Sequence, residues 1–523
     1  MASAATMVFG GLAATYIFFR FLLYLTQDVR EPASIANGIP FVSPLIGMIT
    51  EKSKFYLRLR DSYKLPIYTL RLPFARIYVV NSTDLIPSLQ KQWRTISFAA
   101  IAADAGGLVG MSKEAVKIMH DDITDEKGFT LSWPRFIMPA MSPGKDLDEM
   151  NRVAITVFAA DTEKLRAQGT VTVGLGEWSR QAMVTATTEA VWGPQNPYRD
   201  TDVAEAWKTF EAGFLTLSMF PFAKIFFPKL FRARERAAAA MVEYMRQGGY
   251  KTASGLVRKR FEHHHDQFGF SIEDIARGEL GNTFAVLGNS TPCAFWVLFH
   301  IFSDNDVLQH VRRELSALVK ENREESGETV CSIDLASIKT SCPVLLSIFQ
   351  ETLRYRAVNP GPRVLIEDVL LDGHILLKKG SMLMIPAPVQ HTSVSAWGPD
   401  AGEFNYMRFA QKPPPGQRAP NRVAFRAFGG GHVLCPGRHF ASTEIMALSA
   451  LMVLQFDIVP AGDGKWVEPT WKNSPAQAGF PVPDEDIMVE LRPRDPSKKW
   501  KVEYSGSDKT IGIVSEDIEG NRE

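Results

Sequence analysis

The hydrophobic pattern of the chain begins with one long apolar run. From Met7 to Leu25 the chain reads MVFGGLAATYIFFRFLLYL, and Arg20 is the charged residue within it. About 20 apolar residues are enough to cross the hydrocarbon core of a bilayer. A cleaved signal peptide would need a basic stretch first, and a buried core helix would need a partner to pack beneath. We therefore predict a membrane anchor over 1–30, with the rest of the chain on the cytosolic side because Arg20 and Arg30 lie at that end.

Prolines mark the next change in pattern. The segment 31–48 contains Pro32, Pro40 and Pro44, and proline cannot continue a helix, so an extended hinge is expected there. The segment PIYTLRLPFARIYVVN alternates apolar and polar residues, which predicts a small sheet. From about Leu147 to Gln350 the apolar spacing is mostly helical. These patterns predict a mainly α fold with small β-sheets, in one large domain over 49–495, followed by a polar tail over 496–523 whose composition favours disorder.

Composition excludes several classes of function. The chain has 523 residues, 45% of them hydrophobic, and equal numbers of basic and acidic residues, 58 of each. A net charge of zero argues against a nucleic-acid-binding protein. The 4 cysteines are widely spaced and form no CxxC motif, which argues against a disulfide framework or a zinc cluster.

Three segments allow more than one interpretation. The apolar segment from Phe214 to Phe231 is interrupted by prolines, so it is either core or a surface element that dips into lipid. The run HHHD at 263–266 is expected to be a solvated polar loop, since three adjacent histidines cannot all face one metal ion. The NST patterns at Asn81 and Asn289 fit glycosylation sites, but a body that faces the cytosol would not use them.

The chemistry is concentrated in the stretch FGGGHVLCPGR, Phe428 to Arg438. A structural cysteine is usually buried in a helix or strand, whereas Cys435 lies in a turn of glycine, proline and small residues. Glycine lets the backbone approach a bound group closely, and backbone amides directed at the sulfur stabilise a thiolate. The pattern predicts a thiolate that lies against a large flat group. A haem is such a group, and the sulfur would be a ligand of its iron.

This stretch resembles the haem-binding signature of the cytochrome P-450 superfamily. The resemblance implies haem b with Cys435 as the axial ligand of its iron and Phe428 beside the sulfur. Gly431 and Gly437 would then shape the loop. His432 stands where the family often has an arginine that contacts a haem propionate, and Arg363 matches the usual propionate partner.

Two further motifs follow in the order that the family has. In ETLR, Glu351 and Arg354 lie on one helical face at i and i+3, and Arg408 follows in FNYMRF. The resemblance implies that these three residues form a buried structural triad, although Tyr406 and Met407 replace the usual proline and glutamate. The chain departs from the family pattern in a helix nearer the N-terminus, where many members have Trp-x-x-x-Arg. Trp133 is followed four residues later by Ile137 and not by arginine.

A long apolar helix is predicted from Ser271 onward, with Asp274 completing a capping box. The segment LGNSTP interrupts it. The family has an acid and an alcohol here, which relay protons to dioxygen. This chain has no acid there, and the resemblance places catalytic roles on Asn289, Ser290 and Thr291.

The interrupted segment resembles the branch that contains prostacyclin synthase and the sterol 7α- and 12α-hydroxylases. The chain is identified as a membrane-anchored haem-thiolate monooxygenase of the kind found in fungal biosynthetic pathways. Its expected substrate is a fairly large apolar molecule, such as a terpenoid, sterol, polyketide or alkaloid. Two alternatives stay open: an isomerase or dehydratase that acts on a peroxide without a reductase, and a non-catalytic haem-binding membrane protein.

The resemblance also implies partners and a location. Electrons would come from NADPH through NADPH–cytochrome P-450 reductase, and the expected location is the endoplasmic reticulum membrane, crossed once. Three arginines near the cysteine loop offer a basic surface for an acidic reductase: Arg422, Arg426 and Arg438.

Overall fold

The computed structural model describes residues 4–35, 38–219, 222–323, 325, 328–411, 421–475, 478–506, 513, 514 and 517. The chain divides into two compact units. The first comprises Met1–Ile101, Val358–Ala401 and Pro420–Leu434, and the second comprises Ala102–Ala357, Gly402–Ala419 and Cys435–Glu523. The segments of the two units alternate along the sequence, so no single linker separates them.

A five-stranded sheet is the centre of the first unit. In spatial order its strands are Ile67–Leu72, Ala75–Val80, Met382–Met384, Pro362–Leu365 and Ile96–Ser97. Neighbours are antiparallel, except that Met382–Met384 runs parallel to Ala75–Val80. Side chains alternate between the two faces of a strand, and each face of this sheet is covered by its own apolar cluster. A separate hairpin pairs Val369–Leu371 with Ile375–Leu377.

The first unit carries short helices around this sheet. They are Ser43–Thr50, Ser53–Tyr63, Ile86–Lys91, Ala387–His391 and Val394–Trp397. The predicted extended hinge is therefore wrong in its second half, where Pro44 is in the first turn of a helix. Proline is tolerated there because the first N–H groups of a helix have no partner within it.

The N-terminal helix Ala4–Thr26 exposes apolar side chains along its length, Phe9, Ile17 and Phe18 among them. Within the described residues, two helical stretches are long and apolar enough to cross a membrane, Phe9–Thr26 and Ile272–Phe302. The second is 72% buried, whereas the first is 0% buried. Burial identifies Ile272–Phe302 as core, and the N-terminal helix has the length and surface of a membrane anchor.

The second unit is mainly helical. Its helices are Lys113–His120, Phe129–Met141, Lys145–Gln168, Leu175–Trp192, Thr201–Ala212, Phe214–Met219, Ala223–Phe226, Pro228–Arg246, Gly255–Phe261, Ile272–Leu287, Ser290–Phe302, Asn305–Ser316, Ile338–Ser341, Pro343–Arg356 and Arg438–Gln455. The helix Ala99–Val109 contains the boundary between the units. Every residue of Ser290–Phe302 is buried, and this helix packs against Leu175–Trp192, Pro343–Arg356 and Arg438–Gln455.

Two small sheets complete the second unit. One has the order Phe456–Pro460, Met488–Pro493, Val171–Gly174, and the other the order Lys499–Glu503, Thr329–Asp334, Lys320–Arg323. The expectation of a disordered tail is wrong for Lys499–Glu503, which pairs in parallel with Thr329–Asp334. Further along the tail, Asp517 is buried.

The expectation of a solvated HHHD loop is also wrong. Residues Glu262–Gln267 form a short π-helix, and His263 and His264 are buried. Their rings pack on Phe129 with centroids 5.2 and 4.8 Å away, respectively, and burial lowers the pKa of His263 to about 4. Within the described residues no group of His, Cys, Asp and Glu side chains could hold a metal ion. The two rings are packing elements of the core.

Candidate active site

The cysteine loop turns on three consecutive glycines. Gly429, Gly430 and Gly431 have φ values of 78, 158 and 59°. Residues other than glycine rarely adopt such backbone angles. A Cβ on Gly429 would lie 2.8 Å from the carbonyl oxygen of Val433. The backbone therefore requires glycine in this turn, whereas Gly437 has an ordinary φ of −78°.

Cys435 begins the last segment of the second unit, directly before the helix Arg438–Gln455. Burial raises the pKa of its thiol, but the backbone N–H groups of Gly437 and Arg438 and the Arg438 charge oppose that rise because they stabilise the thiolate. Cys293, Cys331 and Cys342 are fully buried, whereas Cys435 is half-buried. A sulfur at a helix N-terminus with directed amide donors is suited to act as a thiolate ligand.

Arg438 connects the cysteine loop to the C-terminal tail. Its Nη1 donates to the carbonyl oxygen of Cys435 at 3.1 Å. Its Nε and Nη2 donate to Oδ1 of Asp517 at 2.9 and 2.5 Å. The guanidinium thereby fixes the backbone next to the sulfur.

Within the first unit, a cavity of about 50 Å³ collects cationic and aromatic side chains. Arg363, Arg426, Trp93 and His432 line it, and the described residues that line it include no aspartate or glutamate. The ring of His432 stacks on Trp93 with centroids 4.1 Å apart. Burial and the neighbouring Arg426 charge lower the pKa of Arg363 to about 10. Two cationic side chains on the wall of one cavity favour an anionic group there.

These features fit the haem that the sequence implies. Haem brings two propionates, which are anionic groups that Arg363 and Arg426 would attract. Haem also needs an axial ligand, which a thiolate at Cys435 would provide. Phe428 is half-buried in the same glycine-rich loop.

The structure brings the predicted triad together inside the second unit. Arg354 donates from Nε and Nη2 to the Glu351 carboxylate, each at 2.7 Å. Arg408 donates from Nε to both carboxylate oxygens of Glu351 at 3.1 Å. The backbone N–H of Asn405 adds a further bond to Glu351 at 2.8 Å. The buried carboxylate is satisfied by donors from two separate segments.

The predicted long helix is broken at Gly288 and Asn289. The Oγ atoms of Ser290 and Thr291 donate to the carbonyls of Val286 and Leu287 at 2.8 and 3.0 Å. Oδ1 of Asn289 accepts from the N–H of Gly479 at 3.2 Å, and the residue is exposed. The side-chain amide of Asn289 therefore makes no hydrogen bond within its own helix, whereas the hydroxyl protons of Ser290 and Thr291 are both donated to helix carbonyl groups.

Sequence reasoning placed two arginines wrongly. Arg426 and Arg438 were expected on a reductase-facing surface with Arg422, but Arg426 is 5% exposed and Arg438 pairs with buried Asp517. Of the three, only Arg422 is exposed. Arg426 and Trp93 were missed as members of the cationic cavity. Residues 422–428 comprise a short 3₁₀-helix, two irregular residues and a turn, so no strand-like alternation signals the burial of Arg426.

Comparisons with known proteins agree with this geometry. The cytochrome P450 family model matches residues 35–489. Cytochrome P450 monooxygenase nodJ of Hypoxylon pulicicidum is 32% identical over 95% of this chain and 98% of its own length. Cholesterol 7-alpha-monooxygenase of Cricetulus griseus is 23% identical over 59% of this chain and 64% of its own length.

The fold is shared with solved structures. The crystal structure of the cytochrome P450DA heme domain superposes with a TM-score of 0.67 at 15% identity, over 89% of this chain and 98% of that one. The predicted mainly helical fold with small sheets is confirmed, and so is the likeness to sterol 7α-hydroxylases. The chain belongs to the cytochrome P450 family and is a monooxygenase of that family.

Proposed function

We propose that this protein is a reductase-dependent haem-thiolate monooxygenase that hydroxylates, or similarly oxidises, a fairly large apolar metabolite. The observation that carries the proposal is Cys435, whose sulfur lies after a glycine turn and at the start of a helix, with two backbone donors directed at it. Cys435 would be the axial ligand of haem b. Arg363, Arg426 and His432 would hold its propionates. The bound haem supplies the activation of dioxygen.

The other roles in the proposed reaction are assigned to residues of the chain. The Gly437 and Arg438 amides favour the thiolate form of the Cys435 sulfur against the effect of burial, and a thiolate ligand would increase the electron density on the haem iron. Asn289 is assigned to orient water at the helix break, since its amide is exposed and has no bond to its own helix. Ser290 and Thr291 are assigned to shape the break, because their hydroxyl protons are held by backbone carbonyls.

The relatives and the surface of the protein support the proposed substrate class. The matched relatives include a fungal monooxygenase and a cholesterol 7-alpha-monooxygenase. We assign a terpenoid, sterol, polyketide or alkaloid, which is apolar enough to partition into a membrane. Near the helix Ala223–Phe226, Phe222, Ile225 and Phe226 are 63, 72 and 68% exposed. Such an apolar surface is suited to contact lipid.

We assign the chain to the endoplasmic reticulum membrane, anchored once by the helix Ala4–Thr26 with the catalytic part in the cytosol. NADPH–cytochrome P450 reductase would supply the electrons from that side. The anchor over 1–30, the catalytic region over 49–495 and the tail from 496 are the organisation that this assignment requires.

An isomerase or dehydratase that acts on a peroxide is the second candidate. It is favoured by the helix break, where the described residues 286–292 include no acid and both hydroxyls bond to the backbone. Such an enzyme would consume no NADPH. Membership in a family of monooxygenases argues against the third alternative, a non-catalytic haem-binding protein.

The two candidates are separated by isotope labelling. Apolar compounds are first screened for those that change the Soret spectrum of the purified full chain. Each is then incubated with reductase, NADPH and ¹⁸O₂. We expect one ¹⁸O atom in the product, and no product without NADPH. A product formed from a hydroperoxide without NADPH or reductase would favour the isomerase.

A further inference from the structure

A second cavity, of about 320 Å³, lies inside the second unit beside the helix break. Its walls include Phe284, Gly288 and Thr291 from the broken helix pair, and Glu211 from the helix Thr201–Ala212. It therefore reaches the position directly before Asn289.

The Glu211 carboxylate lies beside Gly288, at the break between the two helices. A Cβ built on Gly288 would lie 3.5 Å from Oε1 of Glu211. Gly288 itself has an ordinary helical φ of −61°, so glycine is not needed there for its backbone angle. The carboxylate of another helix therefore lies within contact distance of the segment LGNSTP, which has no acid of its own.

The surroundings of Glu211 allow it to hold a proton. Arg180 donates from Nη2 to Oε2 at 3.0 Å, and the two side chains are 22 and 19% exposed. Burial raises the pKa of Glu211 despite the opposing effects of Arg180 and Lys208. The other charged groups on the cavity wall are Glu177, Glu485 and Asp486. Glu177 pairs with Lys208 at 2.8 Å, and Asp486 accepts from the N–H groups of Gly176 and Glu177 at 2.6 and 3.0 Å.

We propose that Glu211 delivers protons across the helix break to the site at Asn289, in place of the acid that the broken helix lacks. This inference rests on the proposed reductase-dependent function. Oxidation of a substrate by one oxygen atom consumes dioxygen, two electrons and two protons, and yields the hydroxylated product and one water. NADPH and the reductase supply the electrons. Glu211 gives a proton to water in the cavity and recovers one from solvent through the same cavity, so it is unchanged after turnover.

The test uses the haem-loaded full chain in vesicles with reductase, without added substrate. Dioxygen is then reduced to hydrogen peroxide, which also takes two electrons and two protons. Glu211→Gln removes the proton and keeps the shape, and Glu211→Asp keeps the acid. The matched control is Glu177→Gln, which removes a carboxylate from the same cavity. General acid catalysis contributes about 10²–10⁴-fold, so we expect NADPH oxidation to fall at least about 10-fold in Glu211→Gln.

Two further readouts separate proton delivery from a structural role. Guaiacol oxidation driven by hydrogen peroxide needs no delivered protons, and it should stay within about 2-fold of wild type in all variants. Glu444 is buried and its pKa is also raised, so the readout is the infrared spectrum of wild type minus that of Glu211→Gln. This difference should contain the C=O band of a protonated carboxyl, with or without haem. Glu211→Asp should recover most of the NADPH oxidation, and Glu177→Gln should leave it within about 2-fold.

Three results would overturn the inference. The first is NADPH oxidation by Glu211→Gln within about 2-fold of wild type. The second is an equal loss of the NADPH-driven and peroxide-driven reactions, which indicates a structural role. The third is the absence of that band from the infrared difference spectrum. Wild type that consumes no NADPH with reductase would instead refute the proposed function, and this inference with it.

Discussion

The guanidinium of Arg354 donates two hydrogen bonds of 2.7 Å to the carboxylate of Glu351, and both side chains are 0% exposed. Arg408, 5% exposed, binds the same carboxylate. One negative charge thus holds two positive ones inside the second unit. Removing one member of a buried ion pair is costly because the remaining charge has lost its partner but stays out of water.

Glu351→Gln should therefore destabilise the fold by about 3–5 kcal/mol. The measurement is the free energy of unfolding of the purified protein in denaturant. The matched control is Lys259→Gln, which removes an exposed pair with the same i,i+3 spacing, Lys259–Glu262. An exposed pair contributes about 0–1 kcal/mol. Equal losses in the two variants would contradict the structural role of the triad.

Substitution of Arg363 should not reduce the stability of the apoprotein, but it should weaken the binding of haem. Its pKa is lowered by burial and by Arg426, so the charge is a cost until an anion binds. Arg363→Met should leave the apoprotein at least as stable as wild type, and it should lower the haem content after expression. Thermal melting of the apoprotein and the pyridine haemochrome assay measure the two effects. Unchanged haem content would show that the cationic cavity does not hold the propionates.

Lys339 predicts a pH dependence of stability. Its Nζ donates to the carbonyl oxygen of His439 at 2.9 Å, and burial lowers its pKa to about 7, against the effect of Asp517. An unfolded lysine keeps its proton up to pH ~10. Between these values the unfolded chain binds more protons, so stability rises as the pH increases from 7 toward ~10 and falls as the pH returns to 7.

Lys339→Met removes that contribution. Its melting temperature should exceed that of wild type at pH 6, and the difference should shrink by pH 9. Differential scanning fluorimetry from pH 6 to 9 measures both curves. A constant difference across the range would mean that Lys339 does not titrate there.

The exposed apolar surface around Ala223–Phe226 predicts contact with lipid. Ile225 is 72% exposed and Val467 is 71% exposed, so these residues make a matched pair. A spin label on Ile225→Cys should be more accessible to oxygen than to a nickel chelate when the full chain is in vesicles. A label on Val467→Cys should show the reverse. Equal accessibility ratios at both sites would place Ile225 in water.

The predictions that succeeded rest on local patterns. The i,i+3 spacing of Glu351 and Arg354 puts both on one helical face, and the LGNSTP segment marks the break that the structure has at Gly288 and Asn289. Proline at 292 lies in the first turn of the second helix, so the break precedes it. Where local chemistry decided the conformation, the sequence was sufficient.

The errors rest on burial, which is a tertiary property. His263 lies in a polar stretch and Arg426 is a charged residue between apolar neighbours, yet both are buried. Lys499–Glu503 is polar but is ordered by pairing with Thr329–Asp334. The approach of Glu211 to Gly288 has no sequence signal, because the two residues belong to different helices.

The central claim is that Cys435 is the thiolate ligand of haem. The most direct test is the carbon monoxide difference spectrum of dithionite-reduced membranes that contain wild type or Cys435→Ser. We expect a strongly red-shifted Soret band in wild type and its loss in the variant. A band at the position typical of histidine-ligated haem, or folded wild-type protein without haem, would contradict the account.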